Sequence, residues 1–398
     1  MSISLRSSQR MAAIQSPIIP VIAELIRQHP GTISLGQGVV AYGPPESALS
    51  AAHEFGRRSD QHRYGAVQGQ PELLTAIEHK LQLENGIIAT ASGQELIVTA
   101  GSNMGFLNAL WAIADPGDEI ILPLPYYFNQ EMAIRMLGCR PVMVATDDRF
   151  QLRPEALREA ITPRTRAIVT ISPNNPSGAV YPESVLREVN ALCRSYGVYH
   201  ISDEAYEYFT HGPTPHFSPG SIAGSEGHTI SLFSLSKAYG FASWRIGYMR
   251  IPKALYEPVL KAQDTNLICP PRVSQAAAVA ALVAGREYCS AHLADIRAVR
   301  RLMLDELKPI AGLCRVEAAE GAFYLLLKLE QSALDSVSLA ERLIREYGVA
   351  AIPGQAFGLE HGCYLRIAYA ALDLPTAAEG IRRLIAGLSA IIPHPTAR

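Results

Sequence analysis

The chain lacks the features that would direct it to a membrane, a metal or a nucleic acid. Its formal net charge is only −2, from 35 basic and 37 acidic residues. No basic surplus draws it to a phosphate backbone or an anionic bilayer, so neither nucleic acid nor membrane is expected as a partner. Apolar runs such as Ala276–Ala284 fall short of the roughly 20 residues a helix needs to cross a bilayer. The opening Met1-Ser-Ile-Ser-Leu-Arg6 leads into no apolar core of signal-peptide type, and a cytoplasmic location is expected. Six cysteines (Cys139, Cys193, Cys269, Cys289, Cys314, Cys363) include no C-x-x-C pair, and eleven histidines show neither H-x-x-x-H nor H-E-x-x-H. Free buried thiols and no metal are the expectation. Repeats and low-complexity tracts are missing as well.

What is present is a regular alternation. At 398 residues the chain is long enough for two or three domains. Pro17 and Pro20 open a helix whose apolar stripe is Val21, Leu25 and Ile26, and the apolar segment Ile33–Val40 is interrupted by Gly36 and Gly38. After Pro44-Pro45, helical periods at Leu73–Leu83, Asn103–Ile113 and Val185–Tyr196 alternate with strand-like runs at Leu96–Thr99, Glu119–Leu122, Arg166–Ile171, Val198–Ser202 and Thr229–Phe233. That pattern predicts an α/β domain with a mostly parallel sheet. Beyond Pro270-Pro271 come helices at Ser274–Val283, Tyr288–Leu307, Leu339–Tyr347 and Thr376–Leu388, with short strands at Ala322–Leu327, Val349–Ile352 and Tyr364–Ile367. We expect a large domain over 45–280 and a smaller α+β domain formed by 1–44 and 281–398. The site is expected between them.

In parallel sheets ligands bind beyond the carboxyl ends of the strands. After Leu96–Ala100 comes Gly101-Ser102-Asn103-Met104-Gly105, either a phosphate-binding turn on a helix N-terminus or a plain turn with its cap. It is neither a Walker loop nor a G-x-G-x-x-G fingerprint. After Glu119–Leu122, Pro125-Tyr126-Tyr127-Phe128 offers an aromatic to stack on a flat ligand, or ordinary core packing. The loop Ser172-Pro173-Asn174-Asn175-Pro176-Ser177-Gly178 presents the Asn175 amide from a proline-stiffened turn. Asp203-Glu204-Ala205-Tyr206 puts a carboxylate at a buried strand end. Such a group needs a cation, supplied by a ligand's protonated nitrogen or by an internal salt bridge. Finally Ser234-Leu-Ser-Lys237 follows the Thr229–Phe233 run, with Arg245 eight residues on. A lysine against an apolar wall is desolvated and its neutral amine becomes a nucleophile. The arginine is a fixed cation for phosphate or carboxylate.

This ordered set resembles the fold-type I, pyridoxal-phosphate-dependent class I aminotransferases over essentially the whole chain. The family's N-P-x-N-P-[ST]-G stands here as Ser172–Gly178, departing only in Ser172, and its S-x-S-K with the following arginine is unaltered. The resemblance implies a large domain with a mostly parallel sheet, a smaller α+β domain, and pyridoxal 5'-phosphate as cofactor. It implies that Lys237 carries the cofactor covalently and, once displaced, moves a proton between the substrate Cα and the cofactor's C4′. Asp203 would keep the ring nitrogen protonated, Tyr206 and Asn175 would bond the ring oxygen, and Tyr127 would stack on the ring. Ser102, Asn103, Ser234 and Arg245 would hold the phosphate. Tyr64 matches the tyrosine that reaches the phosphate of the neighbouring subunit, implying a homodimer with shared active sites. Arg366 matches the arginine that forks onto the substrate carboxylate, with the Gly38 backbone and Asn175 beside it.

Substrates would be an amino acid and a 2-oxo acid. Relatives that prefer aspartate commonly use a second arginine, from the partner subunit, for the side-chain carboxylate, six residues before the first proline of a Pro-Pro pair; aligned on Pro270-Pro271, that position holds Asp264, although Arg272 lies close by. Val39, Val40 and Tyr42 stand where many relatives are more polar, so an apolar, aromatic pocket wall is expected. Gly36–Val40, Pro125–Asn129 and Tyr206–Phe209 together look most like the plant methionine–aromatic 2-oxo acid aminotransferases, a resemblance that implies a methionine or aromatic donor. An aspartate/glutamate-type aminotransferase or a cysteine-conjugate β-lyase would carry the same constellation. So would an acyl-transferring relative or a sensor domain, although an intact Lys237 with Asp203 and Arg366 argues for turnover.

Overall fold

A computed structural model of the chain describes residues 7–88, 93–317 and 319–393. The chain enters through helices α1 (Gln9–Ala12) and α2 (Ile18–Gln28) and the short strand β1 (Ile33–Ser34). Helices α3 (Glu46–Glu54) and α4 (Pro71–Asn85) follow. Pro71 opens α4 and Gly86 closes it in the left-handed conformation (φ 66°), as helix ends favour. The alternating stretch then runs β2 (Gln94–Thr99), α5 (Ser102–Ile113), β3 (Glu119–Leu124), α6 (Phe128–Met136), β4 (Arg140–Ala145), α7 (Pro154–Glu159) and β5 (Thr165–Ile171). It continues through α8 (Glu183–Tyr196), β6 (Tyr199–Asp203), β7 (Thr229–Ser234), the one-turn α9 (Leu235–Ala238) and β8 (Gly247–Pro252). Helices α10 (Tyr256–Leu267) and α11 (Arg272–Leu307) lead to β9 (Cys314–Val316), β10 (Tyr324–Leu329), α12 (Ser336–Tyr347), β11 (Val349–Ala350), β12 (Ile352–Pro353), β13 (Cys363–Ala368) and α13 (Leu374–Ile391).

Seven strands form one sheet in the order β2-β8-β7-β6-β5-β3-β4. All of its pairs are parallel except those of β8, which runs against both neighbours. The strands are apolar throughout because both faces are covered. Ile97, Phe106, Leu110, Leu232 and Val259 pack one side with α5 and α10; Ile168, Leu186, Val189 and Val198 pack the other with α8. A four-stranded antiparallel sheet, β12-β13-β10-β9, stands apart. The N-terminal β1 pairs with β11, Ile33 opposite Val349, so the arm joins the C-terminal part of the chain.

The expected elements are present with boundaries shifted by a few residues. Strands β4, β8 and β9 and helices α1, α3, α6, α7 and α10 were not expected. The two helices expected across 274–307 are present, separated by a kink at Gly285 (φ 72°, ψ −173°), a conformation glycine adopts without strain. The strand expected at Val349–Ile352 is split between two sheets. Of Ile33–Val40 only Ile33 and Ser34 are strand; the rest runs as loop to the site.

The large sheet is clamped at the end away from its ligand-binding edge. Glu119, fully buried at the start of β3, accepts from Thr162 Oγ1 at 2.7 Å and Arg164 Nε at 3.1 Å, and from Arg140 at the start of β4. Burial pushes its pKa up, but these donors outweigh it and hold the carboxyl at about 2, below its usual 4.5. A lowered folded-state pKa gives stability that is present above the unfolded value and lost as pH falls through the folded one. Glu119→Gln is expected to cost about 1–3 kcal/mol at pH 7, the exposed arginines screening part of the effect. In urea unfolding the gap from the parent protein should narrow as pH falls from 4.5 towards about 2.

Candidate active site

Strands β5, β6 and β7 end side by side, with Ile171 paired to Asp203 and Asp203 to Leu232. Beyond those ends lies a cavity of about 120 Å³ lined by Ser102, Asn103, Tyr127, Asn175, Asp203, Tyr206, Ser234, Lys237 and Arg245. It adjoins a larger cavity of about 330 Å³ with which it shares Tyr127, Asn175, Tyr206 and Lys237. The larger one also takes in Gly36, Gly38, Tyr324 and Arg366. The expected site residues therefore converge, with Tyr64 as the exception.

One end of the smaller cavity is built from donors. Gly101, in a left-handed conformation (φ 80°), turns the chain from β2 into α5, so the first amides of α5 face the cavity end where Ser102 and Asn103 sit. Arg245 lies across this turn, with Nη2 donating to Ala100 O at 3.2 Å and Nη1 to Ala242 O at 2.9 Å. A Cβ on Gly101 would overlap the Arg245 guanidinium, and one on Gly247 would come within 2.8 Å of the Gly101 carbonyl carbon and Ser102 nitrogen. Glycine is required at both places for β8 and the turn to approach. Arg245 itself holds a positive φ of 54°, a strain the surrounding contacts must offset. Ser234 Oγ caps α9 by accepting from Ser236 N at 3.1 Å. Helix N-termini, hydroxyls and a guanidinium together suit a phosphate.

At the floor sits Asp203, buried and without a cationic salt-bridge partner among the described residues. Gln130 Nε2 donates to its Oδ2 at 2.8 Å and the Ala205 N–H to its Oδ1 at 3.3 Å. Burial raises its pKa to about 6, against the lowering pull of the Ala205 N–H, with Glu204 adding to the rise and Gln130 and Lys237 opposing it. A cation brought alongside would relieve that burial.

Lys237, partly buried on α9, donates from Nζ to Gly38 O at 2.7 Å. Burial lowers its pKa to about 8, helped by Arg366 and Arg245 and opposed by Asp203. The neutral amine is thus within reach near neutral pH. Tyr206 shares a hydrogen bond with Tyr324 Oη at 2.8 Å and accepts from Asn175 Nδ2 at 3.3 Å; burial raises its pKa well above the usual phenol. Tyr127 opens α6 and receives Asn129 Nδ2 on its hydroxyl at 2.8 Å. Of the three neighbouring aromatics, Tyr126 is packed in the core while Tyr127 and Phe128 line cavity.

Arg366, on β13 and only 2 % exposed, donates Nη1 to Asn175 Oδ1 at 2.9 Å and Nη2 to Gly36 O at 2.8 Å. Its guanidinium lies 4.5 Å from the Tyr324 ring centre and 5.0 Å from that of Phe357. Nε has no partner, and no carboxylate pairs with the group among the described residues. An anion of carboxylate shape fits such a fork.

Gly38 offers Lys237 its carbonyl. Two residues of the expected pocket wall are placed elsewhere. Val39 lines the larger cavity, but Val40 and Tyr42 do not; they turn away and pack against the core beside α11. Tyr64, expected at the neighbouring subunit's phosphate, is 78 % exposed and outside both cavities; Asp264, exposed on α10, and half-buried Arg272 also lie outside them, the Arg272 Nη1 being spent on Asp60 O and Arg63 O at 2.6 and 3.1 Å. Sequence reasoning also missed residues. Gln130 lies in the same turn-to-helix stretch as Tyr127 and could have been found there. Tyr324 and the α2 residues Ile19, Ile22, Ala23 and Ile26, which wall the larger cavity, carried no signal beyond apolar periodicity.

The family model for aminotransferase class I and II matches residues 30–384. An aromatic aminotransferase of Arabidopsis thaliana is 31% identical over 97% of both chains. The aspartate/prephenate aminotransferase of Thermus thermophilus is 36% identical over 91% of both. Among solved structures, an aromatic aminotransferase from Pyrococcus horikoshii superposes with a TM-score of 0.84 at 30% identity, covering 93% of this chain and 99% of that one. The cavity at the strand ends and these similarities agree: the chain belongs to the class I and II aminotransferases, pyridoxal-phosphate enzymes that move an amino group between an amino acid and a 2-oxo acid.

Proposed function

We propose that this transaminase takes its amino group from a methionine or aromatic amino acid. The observation that carries this reading is the wall of the larger cavity: Ile19, Ile22, Ala23, Ile26, Val39, Phe128 and Ile352 line it, and its described lining has no cation besides Arg366 and Lys237. An apolar wall favours an apolar side chain, whereas a second carboxylate left there would be desolvated and unpaired. The similarity to an aromatic aminotransferase supports the same choice. The similarity to aspartate/prephenate aminotransferases keeps aspartate in the test.

The cofactor fits the smaller cavity on two counts, a donor-lined end for its phosphate and a buried carboxylate in need of a cation for its ring nitrogen. In this reading Ser102, Asn103, Ser234 and Arg245 hold the phosphate, Asp203 faces the ring nitrogen, Tyr127 covers the ring, and Asn175 and Tyr206 bond the ring oxygen. When bound, the cofactor supplies a sink for the electrons released at the substrate Cα. Arg366 orients the substrate carboxylate, flanked by Asn175 and the Gly38 backbone. Lys237 Nζ takes up the proton leaving Cα and releases it again within the cavity. The apolar wall excludes water around that transfer.

The domain division is part of the same reading. The kink at Gly285 and the pairing of β1 with β11 support a large unit over 45–280, with 1–44 and 281–398 forming the smaller one. Exposed Tyr64, with Ile268 and Val273 also exposed on the segment that meets Gly65 through Cys269, supports a homodimer in which Tyr64 serves the neighbouring subunit's phosphate. No helix among the described residues is long and apolar enough to cross a membrane, and all six cysteines are free, which suits a cytoplasmic enzyme.

Three measurements test the reading. With a common 2-oxo acid acceptor, kcat/KM for the best of methionine, phenylalanine and tryptophan should exceed that for aspartate by about 10-fold or more; the reverse order would overturn the donor class. Arg366→Lys, which keeps charge but loses the fork, should raise KM for the amino acid about 10- to 100-fold with a smaller change in kcat. In the cofactor-free protein Lys237 reacts with an acylating reagent only in its neutral form, and its labelling can be followed at that residue by peptide mapping. Its labelling rate should therefore be low in acid, half-maximal near pH 8, and flat well below the ordinary lysine value of 10.5.

A further inference from the structure

Residues 34–43 form a strap that touches both charged ends of the active site. Leu35 is fixed between Ala350 O (2.9 Å) and Ala368 N (2.6 Å), beside the small sheet. Gly36 O then accepts from Arg366 Nη2, and Gly38 O from Lys237 Nζ. Ala41 N donates to Ala370 O at 2.8 Å. The strap ends on Tyr42, whose hydroxyl stands 3.2 Å from both the Lys237 and the Ala238 carbonyl oxygens. Tyr288 Oη secures Gly43 O at 2.7 Å.

That hydroxyl meets a need of α9. A helix of four residues is marginal by itself, and its last carbonyls lack intrahelical partners. Leu235 O accepts from Tyr239 N at 3.2 Å and Phe241 N at 3.4 Å, and Lys237 O from Gly240 N at 3.4 Å and the Tyr239 N–H, whereas no backbone N–H donates to Ala238 O among the described residues. The Tyr42 proton is shared between the two final carbonyls and acts as a side-chain cap. Burial raises its pKa, with Cys289 adding to the rise, so the phenol stays a donor throughout the working range. Cys289 Sγ is 3.5 Å from the hydroxyl. The ring is held by stacking on His292 (3.9 Å, 10°) and by the edge of Tyr288 (5.8 Å, 81°). A Cβ on Gly240 would overlap the Gly43 backbone, so strap and lysine turn meet backbone to backbone. Tyr42 lines neither cavity.

We propose that Tyr42 is a positioning residue for Lys237: its hydroxyl, capping the lysine's helix, keeps the amine in register with the strap that backs Arg366. The proposal rests on Lys237 being the proton-moving amine. The amine sits at the end of a long flexible stem, so a small rotation of α9 displaces it relative to a substrate fixed at Arg366. Misplacement of a reacting group by about 1 Å can cost up to about 10²-fold in rate.

The test is Tyr42→Phe, which keeps the ring and its stack and removes only the donor. In the holoenzyme kcat should fall about 10-fold with KM changed less than about 3-fold, and the isotope effect with an α-deuterated donor should rise as proton transfer becomes more limiting. In the cofactor-free protein the pH midpoint of Lys237 acylation should climb by about 0.5 unit or more, because a loosened amine samples solvent. Cys289→Ala, which leaves the carbonyl contacts in place, should keep kcat within about 2-fold. Unchanged kcat and labelling midpoint in Tyr42→Phe would overturn the proposal. So would an equal loss in Cys289→Ala, or a fall in Tm with KM and kcat moving together, since these mark general packing. Lys237→Ala separates the two readings. If it is inactive while Tyr42→Phe behaves as the parent, only the role of Tyr42 fails; if it retains activity, the reading of Lys237 fails and takes Tyr42 with it.

Discussion

Opposite charges are buried around two adjoining cavities without being paired to each other. Asp203 stands at the end of a central strand with an amide and a side-chain amide for company. Arg366 stands on a strand of the other sheet, bonded only to neutral oxygens. Lys237 lies between, on a carbonyl. Each burial is costly by itself. Had the three been arranged as a closed network, they would stabilise the chain and bind nothing. Held apart, they define what must enter: a cation against the carboxylate, an anion against the guanidinium, and a carbonyl-bearing group for the amine.

The contrast with Glu119 separates structural from chemical use of the same residue types. Glu119 is buried as deeply as Asp203 but has Thr162, Arg140 and Arg164 on its oxygens, and its pKa falls to about 2. Asp203 lacks such donors and its pKa rises to about 6. The two sit at opposite ends of the parallel strands. Satisfaction at one end fixes the register of β3, β4 and β5. Incomplete satisfaction at the other leaves a place for a ligand, where crossover connections leave strand ends open.

How much could be read beforehand follows from how local each signal is. Lys237, Arg245, Asn175 and Asp203 lie in turns whose composition is itself unusual, so strand-end reasoning reached them and the structure brings them to one cavity. Tyr206 and Tyr127 were found the same way. Contacts made across long sequence distances were not legible. Tyr324 meets Tyr206 from a strand of the other sheet, and α2 reaches the cavity from the N-terminal arm. Its apolar stripe announces a buried face but not what it faces. Tyr42 was misplaced for a related reason: the loop after Gly38 was taken as running along the pocket, whereas the phenol ring finds a better partner in His292 and turns away. The antiparallel β8 was hidden because it follows the lysine turn directly, leaving no room for a crossover helix.

The placement of α2 also bears on how selectivity can vary within one scaffold. In the proposed reading, the charged groups that grip the shared part of every amino acid come from the sheets and their adjoining turns, where displacement would disturb many hydrogen bonds. The wall that would face the variable side chain comes from an arm that is attached mainly by apolar packing, through Ile22 and Leu25 against Ile344, Ile352 and Phe357. Apolar packing tolerates exchange of side chains of similar volume better than a hydrogen-bonded network does. Ile22 is 5 % exposed and serves packing and wall together, whereas Ile19 is 39 % exposed and serves mainly the wall. Substitutions at the outer positions of α2 can therefore reshape the pocket with little cost to the fold. In the proposed reading, the part that selects is thus physically separate from the part that reacts.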